Sequence, residues 1–168
     1  MKVLLITGES GAGKTTFAKY LKENYGYNIV HSYTTRPKRD ENDNDHIFIS
    51  HNTANEMMKK TKEIVAHTKI NGEHYFTTVY DFKLGKPNAY IVDGKGISDV
   101  KKNCSNWDIT ILKMTTNENH APKERLKRDV IVPEDYECDL ILERKVVHKY
   151  YLHKKNIRVP KPNWVDVL

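Results

Sequence analysis

The chain has 168 residues, 38% of them hydrophobic and 30% charged, with a formal net charge of +6. That length suits one compact domain with a real core and is too short for two full ones. No apolar run approaches the ~20 residues of a membrane-spanning helix, and two cysteines, Cys104 and Cys138, are too few for a disulfide framework.

The thiols therefore read as those of a reducing, cytoplasmic protein. Met1 to Gly8 has too short an apolar run for a signal peptide and no small-residue cleavage site. The basic residues are spread out, with local concentrations at Arg36-Pro37-Lys38-Arg39, Lys123 to Arg128 and Lys145 to Lys155. Without a long basic block or an arginine-rich tail, nucleic acid and membrane are not expected as partners. Phosphate-bearing small molecules are.

In chain order, Lys2 to Thr7 is an apolar run closed by glycine, the pattern of a buried parallel strand. Lys14 to Tyr25 carries Phe17, Tyr20 and Leu21 at helical spacing and stops at Gly26. Tyr27 to Tyr33 reads as strand, Thr34 to Asp45 as polar loop, His46 to Ser50 as short strand and His51 to Thr61 as polar helix. Glu63 to Ile70 and Glu73 to Thr78 flank Asn71-Gly72, a pair suited to the positive φ angles of a type I′ hairpin turn. Asn88 to Asp93 and Asp108 to Met114 are further strands, with a short helix after Gly96 between them. His120 to Arg128 reads as a basic helix, Cys138 to Leu142 as the last strand, and Tyr150 and Tyr151 as helix-packing residues. Residues 157–168, with Pro160 and Pro162, read as an extended tail.

Strands alternating with helices give an α/β domain: a parallel sheet flanked by helices. Residues 34–80 form a small β-rich insert in that core.

Gly8-Glu9-Ser10-Gly11-Ala12-Gly13-Lys14-Thr15 fits the phosphate-binding loop pattern of glycine, four residues, then Gly-Lys-Ser/Thr. Its place between a strand and a helix is the context that the chemistry needs. Glycines let backbone N–H groups converge on phosphate oxygens, and the helix points its positive dipole end at them. Lys14 would offset phosphate charge, Thr15 would ligate Mg²⁺, and Thr16 lies on the same first turn. Asp93, at the tip of an apolar strand, would serve the same metal directly or through water.

His31-Ser32-Tyr33-Thr34-Thr35-Arg36-Pro37-Lys38-Arg39 resembles the acceptor-binding stretch of guanylate kinases. Together with the phosphate loop and a later Gly72-Glu73-His74-Tyr75, it is similar to that family in order and approximate spacing over about residues 2 to 143. The resemblance implies a P-loop kinase fold, ATP as co-substrate and a nucleoside monophosphate as acceptor. It implies that Ser32 touches the acceptor site, that Arg36 and Arg39 grip the acceptor phosphate, and that Tyr75 helps hold it. His46 stands where the family often has an acceptor-contacting tyrosine, and Thr77 and Asp93 would contact the base. Arg125 and Arg128, three apart on one helix face, would belong to a lid at residues 120–135 closing over the transferring phosphoryl group.

A further position departs from the family pattern. The glutamate expected six residues before Gly72, where it would read guanine, is replaced by Ala66. Glu63 lies an odd number of residues away and would point to the opposite face unless a bulge re-aims it. Weaker guanine selectivity is expected. A kinase of another small phosphate ester, such as ribose 1,5-bisphosphate, and a non-catalytic binding module are the competing readings.

Overall fold

The structure is a computed structural model that describes residues 1–116, 132–146 and 149–154. Six strands form the main sheet: β1 (Lys2–Gly8), β2 (Asn28–Val30), β7 (Asn88–Ile91), β8 (Asp108–Thr116), β9 (Leu140–Val146) and β10 (Lys149–Lys154). Their order is β10-β9-β8-β1-β7-β2, and every pairing is parallel except the one between β9 and β10. Four strands form a second sheet in the order β4-β3-β6-β5: β3 (Tyr33–Thr34), β4 (Ile47–Phe48), β5 (Ile64–Ile70) and β6 (Glu73–Thr78).

Alternation along β1 explains the layering. Leu4 and Ile6 face one side, where α1 (Lys14–Tyr25) lays Phe17, Ala18 and Leu21 against Leu112, Met114 and Leu142. Val3 and Leu5 face the other, where α3 (Gly94–Asn103) contributes Ile97 and Val100 beside Tyr90 and Ile111. With both faces covered, β1 can be apolar at nearly every position, which is why it reads as an unbroken run. Gly96 lets α3 sit this close, since a Cβ there would meet the Val92 side chain at 2.2 Å.

The helices of opposite faces leave β1 and β7 in opposite directions across the sheet. The carboxyl ends of these two neighbouring strands therefore border a crevice, the usual ligand position in open parallel sheets.

The strands of the second sheet all fall between Tyr33 and Thr78. Asn71 (φ 50°) and Gly72 (φ 84°) make the hairpin turn between β5 and β6 as their residue types require. The short helix α2 (His51–Met58) starts at Ser50, whose hydroxyl accepts from the Thr53 amide. Val65 and Ala66 of β5 join the α3-side core, so the insert and the main sheet share a packed seam.

Two expectations need correction. The strand read over Tyr27 to Tyr33 is two strands in two sheets. After Val30 the chain leaves β7; the Ser32 carbonyl accepts from Ile47 and the Tyr33 ring stacks on Phe76. Tyr150 and Tyr151 lie in β10, not in a helix. Among the described residues β10 pairs on one side only, and such an edge strand need not show the apolar run of a central strand. Most of the expected lid, including Arg125 and Arg128, and the 157–168 tail lie outside the described residues.

Candidate active site

A cleft of about 430 Å³ opens at the carboxyl ends of β1 and β7, lined by both sheets. Gly8, Glu9, Ser10 and Lys14 form one wall; Ser32, His46 and Tyr75 come from the insert side, and Asp93 from the end of β7. Four more lining residues, Thr68, Ile70, Tyr90 and Val92, belong to no functional motif in the sequence. Thr68 and Ile70 could have been found by period-two spacing from Ala66 along the strand.

The loop wall is held by backbone geometry. Gly11 and Gly13 adopt positive φ values of 89° and 88°, and the Ala12 amide donates to the Glu9 carbonyl across the turn. Gly13 precedes α1 without a side-chain cap, so the helix starts with its N–H groups unclaimed by any capping side chain. The Lys14 ammonium folds back and donates to the Gly8 and Glu9 carbonyls at 2.7 and 2.6 Å. Burial lowers its pKa to about 8, with the Glu9 carboxylate opposing the shift. An anion between Lys14 and the α1 N-terminus would satisfy both. Thr15 is half-buried and Thr16 exposed on the first turn of α1.

Asp93 is partly committed. Its Oδ1 caps α3 by accepting from the Gly96 amide at 2.7 Å and also accepts from the Thr68 hydroxyl at 3.1 Å. Asp93 is thus both the cap of α3 and part of the cleft lining. Among the described residues, no group of three or more His, Cys, Asp or Glu side chains is arranged to hold a metal ion.

The insert wall is held by side chains. Arg36 pairs with Asp43 at 2.9 Å, and the two side chains are only 11% and 4% exposed. Although burial alone would raise it, Asp43 is held down at about 2 by the Arg36 guanidinium and the Arg39 amide. Arg36 also donates to the Pro37 carbonyl and sits 5.1 Å from the Phe48 ring centre. Its Nε and Nη2 are nevertheless buried with no partner among the described residues. Buried guanidinium N–H groups left unmatched are costly, and two of them on one fork fit a phosphate. Arg36 and Arg39 stand behind the cleft lining, reaching it through His46; Arg39 is exposed.

His46 lines the cleft between Tyr75 and Phe48, with ring centres 5.4 and 6.2 Å away. Its Nδ1 is buried without a partner among the described residues. Burial first, then the Arg36 charge, lowers its pKa to about 4, so the free protein holds it neutral near pH 7. Asp43, which anchors this arrangement, lies in a stretch that reads in the sequence simply as polar loop.

Deeper in the cleft wall, Ser32 is buried and its hydroxyl lies 3.5 Å from that of Tyr90. Thr77 is fully buried behind the lining rather than in it. Ala66 is 2% exposed, opposite Thr77 in the ladder. The ladder does shift register between Ile64 and Ala66, yet Glu63 is not turned inward. It ends a short 3₁₀ turn (Thr61–Glu63) and accepts from the Tyr80 hydroxyl at 3.2 Å, away from the cleft. His67 and His74 share a 2.9 Å nitrogen–nitrogen hydrogen bond on the hairpin and do not line the cleft, consistent with packing roles.

No family model matches the chain. It is similar to the guanylate kinase of Fusobacterium nucleatum subsp. nucleatum, with 29% identity over 122 residues, 68% of this chain and 64% of that one. A guanylate kinase of Campylobacter jejuni is 27% identical over 135 residues, 76% of this chain and 65% of its own length. The chain thus spans just under two thirds of the length of these relatives. Among solved structures, guanylate kinase from Anaplasma phagocytophilum matches with a TM-score of 0.50 and 18% identity, over 70% of this chain and 61% of that one. The likeness is at family level in sequence and extends to the α/β fold with its parallel core sheet.

Proposed function

We propose that the chain is a guanylate-kinase-like phosphotransferase that moves the γ-phosphoryl group of ATP to a nucleoside or deoxynucleoside 5′-monophosphate. The observation that carries the reading is a cleft with two phosphate-seeking walls. On one side Lys14 and the uncapped start of α1 invite an anion. On the other, Arg36 carries two unmatched buried N–H groups behind His46 and Tyr75. A binding module for peptides would have no use for the first wall.

The acceptor phosphate is itself the nucleophile, so no side chain needs to form a covalent intermediate. An acceptor oxygen attacks the γ-phosphorus as the bond to the β-phosphate oxygen breaks, giving ADP and a nucleoside diphosphate. Loop N–H groups and Lys14 orient the donor phosphates and offset their charge; Arg36, Arg39 and Tyr75 orient the acceptor. Arg125 and Arg128 would complete the charge compensation from the lid. Mg²⁺, bound with ATP through Thr15 and, by way of water, Asp93, would supply further neutralisation of phosphate charge.

Base selectivity weaker than that of a guanine-specific site follows from Ala66. With no glutamate side chain there and Glu63 directed at Tyr80, Asp93 is the carboxylate at the base end, and Thr68 and Gly96 already hold one of its oxygens. Reading a base by matched polar groups discriminates by roughly 10⁴–10⁵, shape alone by roughly 10–200.

The test is a coupled ADP-release assay over all ribo- and deoxynucleoside monophosphates plus ribose 1,5-bisphosphate. Release stimulated by more than one base, and lost in Lys14→Met, is expected. Strict guanine dependence would remove the selectivity argument. Activity on the ribose bisphosphate alone would transfer the reading to that class, and no stimulation by any acceptor would end the kinase reading.

A further inference from the structure

We propose that His46 receives the acceptor phosphate as an imidazolium, so that each acceptor bound brings one proton onto this ring. The proposal rests on the kinase reading and adds a charge-balancing role specific to this chain.

Charge balance on the insert wall carries the argument. The charged groups acting on the His46 ring are Arg36 and Arg39 on one side and Asp43 and Asp45 on the other. These four formal charges cancel. Arg36 in particular is neutralised by a carboxylate that is nearly buried, so it brings donors to the site but little net charge. Lys38 adds a charge over the outer Phe48 ring, where it is exposed and screened. Tyr75, packed edge-on against the ring, offers a phenol hydroxyl.

A phosphate dianion entering this wall would therefore be buried against a net charge near zero, at considerable cost. His46 is the group able to change that. Its Nδ1 is buried and unmatched, its ring lines the cleft, and Tyr75 and Phe48 hold it edge-on. A neutral ring has one N–H; the imidazolium has two and a full charge. In the free protein, burial and Arg36 keep the ring neutral, with a pKa of about 4. One opposite charge within ~4–6 Å raises a pKa by roughly 1–3 units, and a dianion carries two charges. The bound ring then keeps its proton to a higher pH than the free one. The proton comes from solvent and returns to it on release; no covalent bond to a heavy atom changes.

The sign follows. With the pKa higher in the complex than in the free protein, affinity rises as pH falls through the complexed value. It continues to rise until the acceptor's own phosphate, with a second pKa of about 6, begins to protonate.

Isothermal titration calorimetry with GMP, dTMP, dCMP and AMP as probes, at pH 7 in buffers of low and high ionisation enthalpy, counts the protons. The wild-type chain is expected to take up at least about half a proton per acceptor, beyond that of the phosphate itself, with binding at least about twofold tighter at pH 7 than at pH 8. His46→Gln, a neutral amide in the same place, is expected to bind more weakly and take up none. Wild-type binding without buffer dependence overturns the proposal and leaves the kinase reading standing. So does His46→Gln showing the same uptake as wild type. No binding by any of the four probes overturns the nucleoside-monophosphate reading, and this proposal with it.

Discussion

The Gly8–Lys14 loop and the sheet of β3 to β6 face each other across one cleft and are built from different materials. The loop wall uses backbone: glycines at positive φ, an uncapped helix start and one lysine folded onto two carbonyls. The insert wall uses side chains: a buried Arg36–Asp43 pair, unmatched nitrogens on Arg36 and His46, and the Ser32 hydroxyl, which meets that of Tyr90 on the main sheet. Backbone donors cannot be retuned by substitution without moving the chain, which on the proposed function suits a triphosphate donor common to many enzymes. Side chains can be exchanged one at a time, which on the same proposal suits the end that would distinguish acceptors.

If that contrast holds, the largest effect of a small substitution should fall at the root of the loop. Gly8 ends β1 beside Met114 of β8, and its φ is +129°. A Cβ there would lie 2.0 Å from the Met114 carbonyl oxygen, which is backbone and cannot swing aside. Overpacking and positive-φ strain together should cost Gly8→Ala about 5 kcal/mol, much of a domain's whole stability. Thermal melting should show a grossly destabilised or unfolded chain. A melting temperature within a few degrees of wild type would mean that the strands part easily and the loop wall is not rigid.

An intermediate effect is expected from Asp43→Asn on the insert wall. Removing one charge of a buried pair leaves Arg36 uncompensated, at a cost of about 3 kcal/mol near neutral pH. The pH dependence gives a second signature. Asp43 has a folded pKa lowered to about 2 from 3.8, so its contribution is fully present above the unfolded value and fades as pH falls through the folded one. The stability gap between wild type and variant should accordingly shrink below about pH 4. A constant gap at all pH values would show that shape, not charge, is what Asp43 supplies.

The same contrast governs what can be read from the residues alone. The loop is legible because its chemistry is local: eight consecutive residues, Gly8 to Thr15, between a buried strand and a helix. The hairpin is legible for the same reason, since Asn71-Gly72 specifies its own turn. The Arg36 anchor is not, because Asp43 acquires meaning only when the 36–43 loop closes on itself. Tyr90 and Thr68 belong to the cleft through pairings across strands, which no linear pattern displays. The bulge beside Val65 can be imagined from the sequence, but that Glu63 stays with Tyr80 depends on a turn with no strong signal of its own. β10 escapes because an edge strand need bury little of itself.

The smallest expected effect lies at the tip of the insert and asks whether the two walls melt as one. Gly72 occupies the hairpin turn at φ +84°, with nothing within 4 Å of the place an added methyl would take. Gly72→Ala therefore adds backbone strain alone, about 1 kcal/mol, or roughly 2–4 °C in melting temperature for a chain of this size. Where that cost appears is the informative part. If the insert opens on its own, native-state hydrogen exchange should speed up about fivefold at Thr68 and Phe76 in the hairpin and stay unchanged at Leu5 and Ile6 in β1. The opposing consideration is the shared seam, since Val65 and Ala66 pack in the same core as Val3, Leu5 and Val100. Equal acceleration in both sheets would show that the seam makes them one cooperative unit. The insert wall could then not loosen without loosening the loop wall.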